Sequence, residues 1–241
     1  MSTRRAKQII YGMFYLIFFA AFIGAAWFLA MLIVPRGPST APCTPSTCAP
    51  TSTAPLLTAP VITFTSSPGH YTFLAQVANT DPYYAASYFD YAVDLYDASG
   101  TVLQSIPGSS FVYAGQTKYL VVPNVAVGEP FVSAGLVLSN AYWQDTASLG
   151  AIPQFTKENV VSSNGSTTVS VSGQLTNGNI ASTHYVFVDV IFTTSNGNPI
   201  GASVTILNNV GPGKTVDFSV SYPQTGAIDP SRNEVLVYGL K

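Results

Sequence analysis

The stretch YFDYAVDLYDASGTVL, residues 88–103, decides how this chain folds. Its first eight residues alternate between two sets, of which the apolar one is Phe89, Tyr91, Val93 and Leu95. A period of two places these apolar side chains on one face of a β-strand and the others on the opposite face. Gly100 then supplies the positive φ that a tight turn requires. The stretch therefore predicts a long strand that turns into an antiparallel partner.

A second stretch, YVFVDVIFTTSNGNPI at residues 185–200, has the same pattern. Its apolar set superposes on the first at an offset of 97 residues and consists of Val186, Val188, Val190 and Phe192. Gly197 takes the place of Gly100, Asn177 repeats Asn79, and Gly213 repeats Gly115 at nearly the same offset. Because these landmarks recur in one order, they predict two copies of one fold of about 80 residues, each large enough for its own core.

The repeat defines the organisation of the C-terminal part of the chain. Turn signals recur about every ten residues, and no amphipathic helix longer than about two turns is evident, which favours an all-β sandwich. We predict two tandem antiparallel β-sandwich domains at residues 61–143 and 155–241, with a linker at residues 144–154. The four outward-facing residues of the second central strand, from Tyr185 to Ile191, are expected to point away from its core.

The segment from Asp94 to Leu103 resembles the signature of FxLYD-type domains, as does the order of the strands and turns around it. That family has immunoglobulin-like seven-stranded sandwiches, akin to the water-stress domain of late-embryogenesis-abundant proteins. The first copy departs from the signature at Tyr91, and the second lacks its Leu-Tyr-Asp core. The resemblance implies immunoglobulin-like domains in an exported or anchored bacterial protein and brings no catalytic residues.

An uncharged run occupies residues 9–34. About 20 apolar residues suffice to cross the hydrocarbon core of a bilayer, and the run is too long for the core of a cleaved signal peptide. Three basic residues precede it, whereas only Arg36 follows closely. The positive-inside rule therefore predicts a single-pass signal-anchor helix in the plasma membrane, with residues 1–8 cytoplasmic and the rest of the chain outside.

The predicted helix contains small residues at a spacing that allows close helix packing, namely Ala20, Ala21, Gly24 and Ala25. Such pairs can bring two membrane helices together, as homo- or hetero-oligomers. Small residues are also common in spans that make no such contact, so a passive anchor is the alternative.

Residues 35–60 are predicted to form an extended stalk. Seven of them are proline, and threonine, serine and alanine supply thirteen more, so the segment cannot bury enough apolar surface to fold. Outside the membrane, Cys43 and Cys48 are expected to form a small disulfide loop. A bridge to a neighbouring chain is the alternative.

Charge and motifs exclude several classes of function. Beyond Arg36, eleven acidic residues stand against five basic ones, a net charge of −6, which argues against nucleic acid and anionic lipid as partners. No nucleotide-binding loop, nucleophile elbow or metal-ligand spacing is present, so we expect no cofactor. Asp90, Asp94 and Asp97 lie too far apart along a strand to converge on calcium, and Asp97 is expected to cap its own turn.

Aromatic residues supply the candidate binding surface. They lie in the loop after Asp81 and on the outward faces of the two central strands, and comprise Tyr83, Tyr84, Tyr88, Tyr185 and Phe187. Tyrosine offers a large rigid face and a hydroxyl, which suits protein or glycan partners. The alternative is that these rings pack the end of the sandwich or the interface between the two copies.

These features together predict a non-enzymatic, membrane-anchored envelope protein that binds a partner or scaffolds a surface assembly. An accessory subunit of a secretion or transport complex, held through its transmembrane helix, is the second hypothesis. An extracytoplasmic enzyme is the third.

Overall fold

The computed structural model describes residues 53–224 and 226–240, whose regular secondary structure is almost entirely antiparallel β-strand. The all-β class predicted from the sequence is therefore confirmed. The predicted membrane helix with its small residues, and the loop containing Cys43 and Cys48, lie outside the described residues. Within the described ranges, no helix is both long and apolar enough to cross a membrane.

Two sheets form the first half of the described chain, residues 53–145. Sheet A has β3 at its centre, with β1 and β2 on one side and β6 on the other. Sheet B has the order β5-β4-β7. The strands are β1 (Leu57–Thr58), β2 (Ile62–Ser67), β3 (His70–Ala78), β4 (Tyr84–Tyr96), β5 (Val102–Val112), β6 (Thr117–Ala126) and β7 (Ser133–Asp145).

The second half, residues 155–240, also contains two sheets. Sheet C has the order β8-β9-β12, and sheet D has the order β11-β10-β13. The strands are β8 (Phe155–Asn164), β9 (Thr168–Asn177), β10 (Thr183–Thr193), β11 (Pro199–Val210), β12 (Thr215–Pro223) and β13 (Glu234–Leu240). The strand order of sheet C repeats the order β2-β3-β6 of sheet A, and the strand order of sheet D repeats the order β5-β4-β7 of sheet B. A short helix α1 (Thr146–Leu149) follows β7, and a 3₁₀ turn (Pro230–Arg232) precedes β13.

The central strands β4 and β10 carry the cores, as the alternation of their residues predicted. Phe89, Val93 and Leu95 of β4 are fully buried, and Tyr91 between them is partly buried. The corresponding apolar set of β10, from Val186 to Phe192, is fully buried against residues of sheet C. Both strands therefore present one apolar face to the opposing sheet.

The turns after the two central strands are equivalent. Gly100 and Gly197 have φ values of 83° and 80°, and each closes its turn by donating its N–H to the carbonyl three residues earlier. Asp97 caps the first turn, because its carboxylate accepts the backbone N–H groups of Ser99 and Thr101 at 2.8 Å each. The predicted glycine turns and the predicted cap are confirmed.

The repeated asparagines have one structural role in both halves. Asn79 and Asn177 are buried, and their backbone N–H groups donate to the carbonyls of Gln116 and Lys214, each at 2.9 Å. Each side-chain oxygen also accepts the backbone N–H two residues later, at 3.0 Å and 2.9 Å. The landmarks that repeat in the sequence are thus buried polar anchors for the loops that follow.

The two halves belong to one compact unit, residues 50–241. Phe64 and Leu74 of the first half share a hydrophobic cluster with the core of the second. Asp189 and Ile191 lie on the outer face of sheet D, as predicted, but both are buried. The outer face of this sheet is therefore covered rather than solvated around these residues. Strand β1 lies within the segment predicted as stalk, and β7 extends into the predicted linker.

Candidate binding groove

A hollow of about 390 Å³, which we call the seam groove, lies between residues of the two halves. Strands β4 and β5 contribute one wall, and β10, β11 and β13 contribute the other. The described residues that line it are aromatic, aliphatic or hydroxyl-bearing, and none is charged. They are Ser87, Tyr88, Ser109, Ser110, Phe111, Tyr185, Phe187, Ile206 and Leu240.

Three of the five aromatic residues singled out from the sequence converge in this groove. Tyr88 comes from β4, and Tyr185 and Phe187 come from β10. Tyr83 and Tyr84 do not line it, because their loop is tied down elsewhere: their backbone N–H groups donate to the Asp81 carboxylate at 2.8 Å and 2.9 Å. The side chain of Tyr83 is 70% exposed.

The remaining lining residues were not indicated by the sequence. Ser109, Ser110 and Phe111 lie near the end of β5, and Ile206 and Leu240 lie on the two strands that flank β10. Register explains part of this set, because Phe187 pairs directly with Ile206 on one side of sheet D. Once β10 is identified as central, its neighbours follow from the pairing, but the approach of β5 depends on how the halves pack.

Tyr88 stands at the rim with its hydroxyl group fixed. The hydroxyl donates to the carboxylate of Asp90, which also accepts from Asn140 Nδ2 at 2.8 Å. The hydrogen bond from Tyr88, followed by that from Asn140, lowers the pKa of Asp90. Asp90 therefore stays ionised and holds the tyrosine in place. The ring of Tyr88 remains 46% exposed, and that of Tyr185 is 50% exposed.

The floor of the groove consists of Phe111 and Phe187, whose ring centroids are 5.9 Å apart. On the buried side of these rings lies Lys118, which is 2% exposed and does not line the groove. Its Nζ is 3.5 Å from the Phe111 centroid, 4.6 Å from that of Phe187 and 5.4 Å from that of Tyr238. An ammonium at these distances is attracted by the ring quadrupoles. These three rings form a cage around the ammonium, and they come from both halves of the chain.

Two buried ionisable groups, Lys118 and Asp189, interact electrostatically at the contact between the two halves, which we call the seam. Burial lowers the pKa of Lys118 to about 7, and the charge of Asp189 opposes that shift. Burial likewise raises the pKa of Asp189 to about 7, against the effect of Lys118. Lys118 Nζ has no hydrogen-bond partner among the described residues. The one described ion pair shorter than 4.0 Å joins Arg232 and Asp229, so Lys118 and Asp189 interact over a longer distance.

The three aspartates considered for calcium have separate partners. Asp90 accepts from Tyr88 and Asn140, Asp94 accepts from Ser105 at 2.5 Å, and Asp97 caps its turn. In the part of the chain that the structure describes, no group of three His, Cys, Asp or Glu side chains could hold a metal ion.

Comparison with family models and with curated proteins gives no relative. No protein-family model matches the chain, and no curated protein matches its sequence.

Proposed function

We propose that this protein is a membrane-anchored, non-enzymatic binding protein of the cell envelope, and that its seam groove binds an uncharged glycan. The observation that carries the proposal is the convergence of Tyr88, Tyr185 and Phe187, contributed by both halves, in one hollow. The two tyrosines are about half exposed there. Large aromatic rings left open in a concave site gain free energy when a ligand covers them.

The lining of the groove favours a neutral ligand. No carboxylate, ammonium or guanidinium is among the described lining residues, so a charged ligand would lose its hydration without gaining an ion-pair partner. The net charge of −6 beyond Arg36 also repels anionic polymers.

The size and polarity of the groove favour a sugar over a protein surface. Small-ligand sites have volumes of about 300–1,000 Å³, whereas stable protein interfaces bury about 1,200–2,000 Å² of surface. At about 390 Å³ the groove falls in the first class. Its serine hydroxyls, from Ser87, Ser109 and Ser110, can each donate and accept hydrogen bonds, which suits the hydroxyl groups of a sugar whose apolar face lies on a tyrosine ring.

The anchoring part of the proposal rests on the sequence. The uncharged run at residues 9–34 and the basic residues before it support one membrane span with the β-sheets outside the cell. The repeated strand order supports two tandem immunoglobulin-like sandwiches, and the FxLYD resemblance is compatible with that interpretation. In this arrangement the stalk raises the groove above the membrane.

Binding of the full-length chain in lipid nanodiscs to an array of uncharged glycans tests the proposal. The double variant Tyr88→Ala/Tyr185→Ala should bind about 10- to 100-fold more weakly, because each lost ring contact is worth roughly 1 kcal/mol. Tyr83→Ala is the matched control, since Tyr83 is 70% exposed and does not line the groove.

Equal binding by the double variant and the wild type would overturn the assignment of the groove. Capture of a protein that depends on Tyr88 and Tyr185 would keep the groove and replace the glycan with a protein partner. Co-purification of a membrane protein that is lost when Ala20, Gly24 and Ala25 are changed to Leu would instead favour the accessory-subunit hypothesis.

A further inference from the structure

Lys118 occupies an unusual position for a lysine. It is the second residue of β6, pairs with the buried Val77 and is itself 2% exposed. Lysine is almost never fully buried unless its charge has a partner. Here the ammonium lies over Phe111 of the first half and over Phe187 and Tyr238 of the second. Its surroundings therefore exist only while the two halves are packed together.

Asp189, on the other side of the seam, is equally unusual for a charged residue because it is buried. It belongs to the outer face of sheet D, two residues after Phe187, and pairs with Val204 and Leu236 on the neighbouring strands. An aspartate on an outer face would normally be solvated, but Asp189 is also 2% exposed. Removing a carboxylate from water is costly unless an opposite charge compensates for the lost hydration.

We propose that Lys118 and Asp189, both buried where the two halves meet, act as one electrostatic pair that joins the halves and holds Phe111 and Phe187, the floor of the seam groove, in position. The pairing of the halves does not depend on what the groove binds. The effect of the Lys118–Asp189 pair on ligand binding, in contrast, rests on the proposed function. Both residues are positioning residues, because neither lines the groove.

The other titratable groups that act on this pair are tyrosines. Burial raises the pKa of Tyr91 from β4 and of Tyr238 from β13, and the charge of Asp189 raises both further. Tyr238 accepts a hydrogen bond from the backbone N–H of Tyr119 at 3.2 Å, and Glu234 acts on Tyr238 from the same strand. Both tyrosines are therefore neutral near pH 7, which leaves Lys118 and Asp189 as the groups that respond.

The pairing predicts an unusual dependence of the free energy of unfolding on pH. In the unfolded chain near neutrality, lysine is protonated and aspartate is ionised, so the two groups hold one proton. Because both native pKa values are about 7, the native pair also holds one proton at pH 7, whichever group carries it. Across about pH 6 to pH 9, stability of the wild type should therefore depend least on these residues close to pH 7, where the opposite contributions of the two groups cancel. When one partner is removed, the titration of the other should make stability depend on pH.

The two single variants should respond to pH in opposite directions. In Lys118→Met, the native pKa of Asp189 stays raised, so stability falls as pH rises towards that pKa. In Asp189→Asn, the native pKa of Lys118 stays lowered, so the unfolded chain binds more protons and stability rises with pH. The unfolding equilibrium constant should change by up to about tenfold per pH unit in each case.

Urea unfolding of the full-length chain and its variants across this pH range is the measurement. Lys214→Met and Asp217→Asn are matched controls at exposed positions and should keep the wild-type slope. The double variant Lys118→Met/Asp189→Asn buries no charge, so it should be flat with pH and more stable than either single variant. It also provides a folded reference if a single variant does not fold.

A double variant that is no more stable than the two single variants, or single-variant slopes equal to those of the controls, would overturn the pairing. Glycan binding then tests the positioning role: Lys118→Met should bind more weakly, and Lys118→Arg, which retains the charge over the rings, should recover binding. If no glycan binds any variant but the double variant is more stable than both single variants, the pair stands and the proposed function fails. The same regained stability with unchanged glycan binding would remove the positioning role alone.

Discussion

Asn177 shows how a single buried side chain can secure a loop between strands. It is fully buried, and its Nδ2 donates to the carbonyls of Ala181 and Val210 at 3.1 Å and 2.8 Å. Its Oδ1 accepts the backbone N–H of Asn179. Asn177→Ala removes all these partners and should lower the free energy of unfolding by about 3 kcal/mol, because buried backbone groups are left unpaired.

Urea denaturation would measure this loss. Asn198→Ala is the matched control, because Asn198 lies exposed in a turn, and we expect a change within about 0.5 kcal/mol there. Similar losses in the two variants would mean that the buried amide has no special role.

Three strands of this fold contain β-bulges, and in each bulge an asparagine has the left-handed backbone conformation. Asn124, Asn140 and Asn159 have φ values of 52°, 49° and 52°, and each lies where two residues of one strand oppose a single residue of the next. Asparagine adopts this region more readily than most residues, and a bulge increases the local twist of a sheet. These residues therefore bend β6, β7 and β8 at defined points.

Asn124 allows this role to be tested at the level of one strand. Asn124→Val places a β-branched residue at positive φ and should cost about 1–2 kcal/mol, whereas Asn124→Gly should be nearly neutral because glycine adopts positive φ freely. Thermal unfolding of the two variants provides the comparison. Equal midpoints would show that the backbone at residue 124 is not constrained.

At the level of elements, much of the fold could be predicted from the chain. The alternation in residues 88–95 and 185–192 identified both central strands and their core faces, and Gly100 and Gly197 identified the turns that end them. The bulges could not be predicted, because one asparagine in a strand has the same local pattern as an exposed polar residue. Their register depends on the partner strand.

At the scale of the molecule, the two halves should unfold together. Separating them would expose Ile191 and the cage around Lys118, so neither half is expected to persist alone. Trp143 lies in the first half, and the chain has one other tryptophan, Trp27. In a Trp27→Phe background, fluorescence reports the first half while far-ultraviolet circular dichroism reports the strands of both. The two urea transitions should coincide, and a biphasic dichroism curve would contradict this expectation.

The seam is also where sequence reasoning reached its limit. Tyr88, Tyr185 and Phe187 were identified because outward aromatic residues are conspicuous on a strand, and they meet in the groove. Lys118 and Asp189 were overlooked, because a charged residue in an alternating pattern normally faces water. Only the packing of the first half over sheet D buries them, and no local pattern encodes that contact.

The burial of Lys118 also makes the protein its own chemical reporter. An amine-reactive ester acylates neutral amines that it can reach, and a side chain with 2% of its surface exposed is out of reach. Acylation of Lys118 then requires the halves to part, so its rate follows the frequency of that opening, while the exposed amine of Lys214 records the activity of the reagent. Peptide mapping after a timed pulse would thus show how often the molecule opens, without a substitution or a fluorophore being introduced.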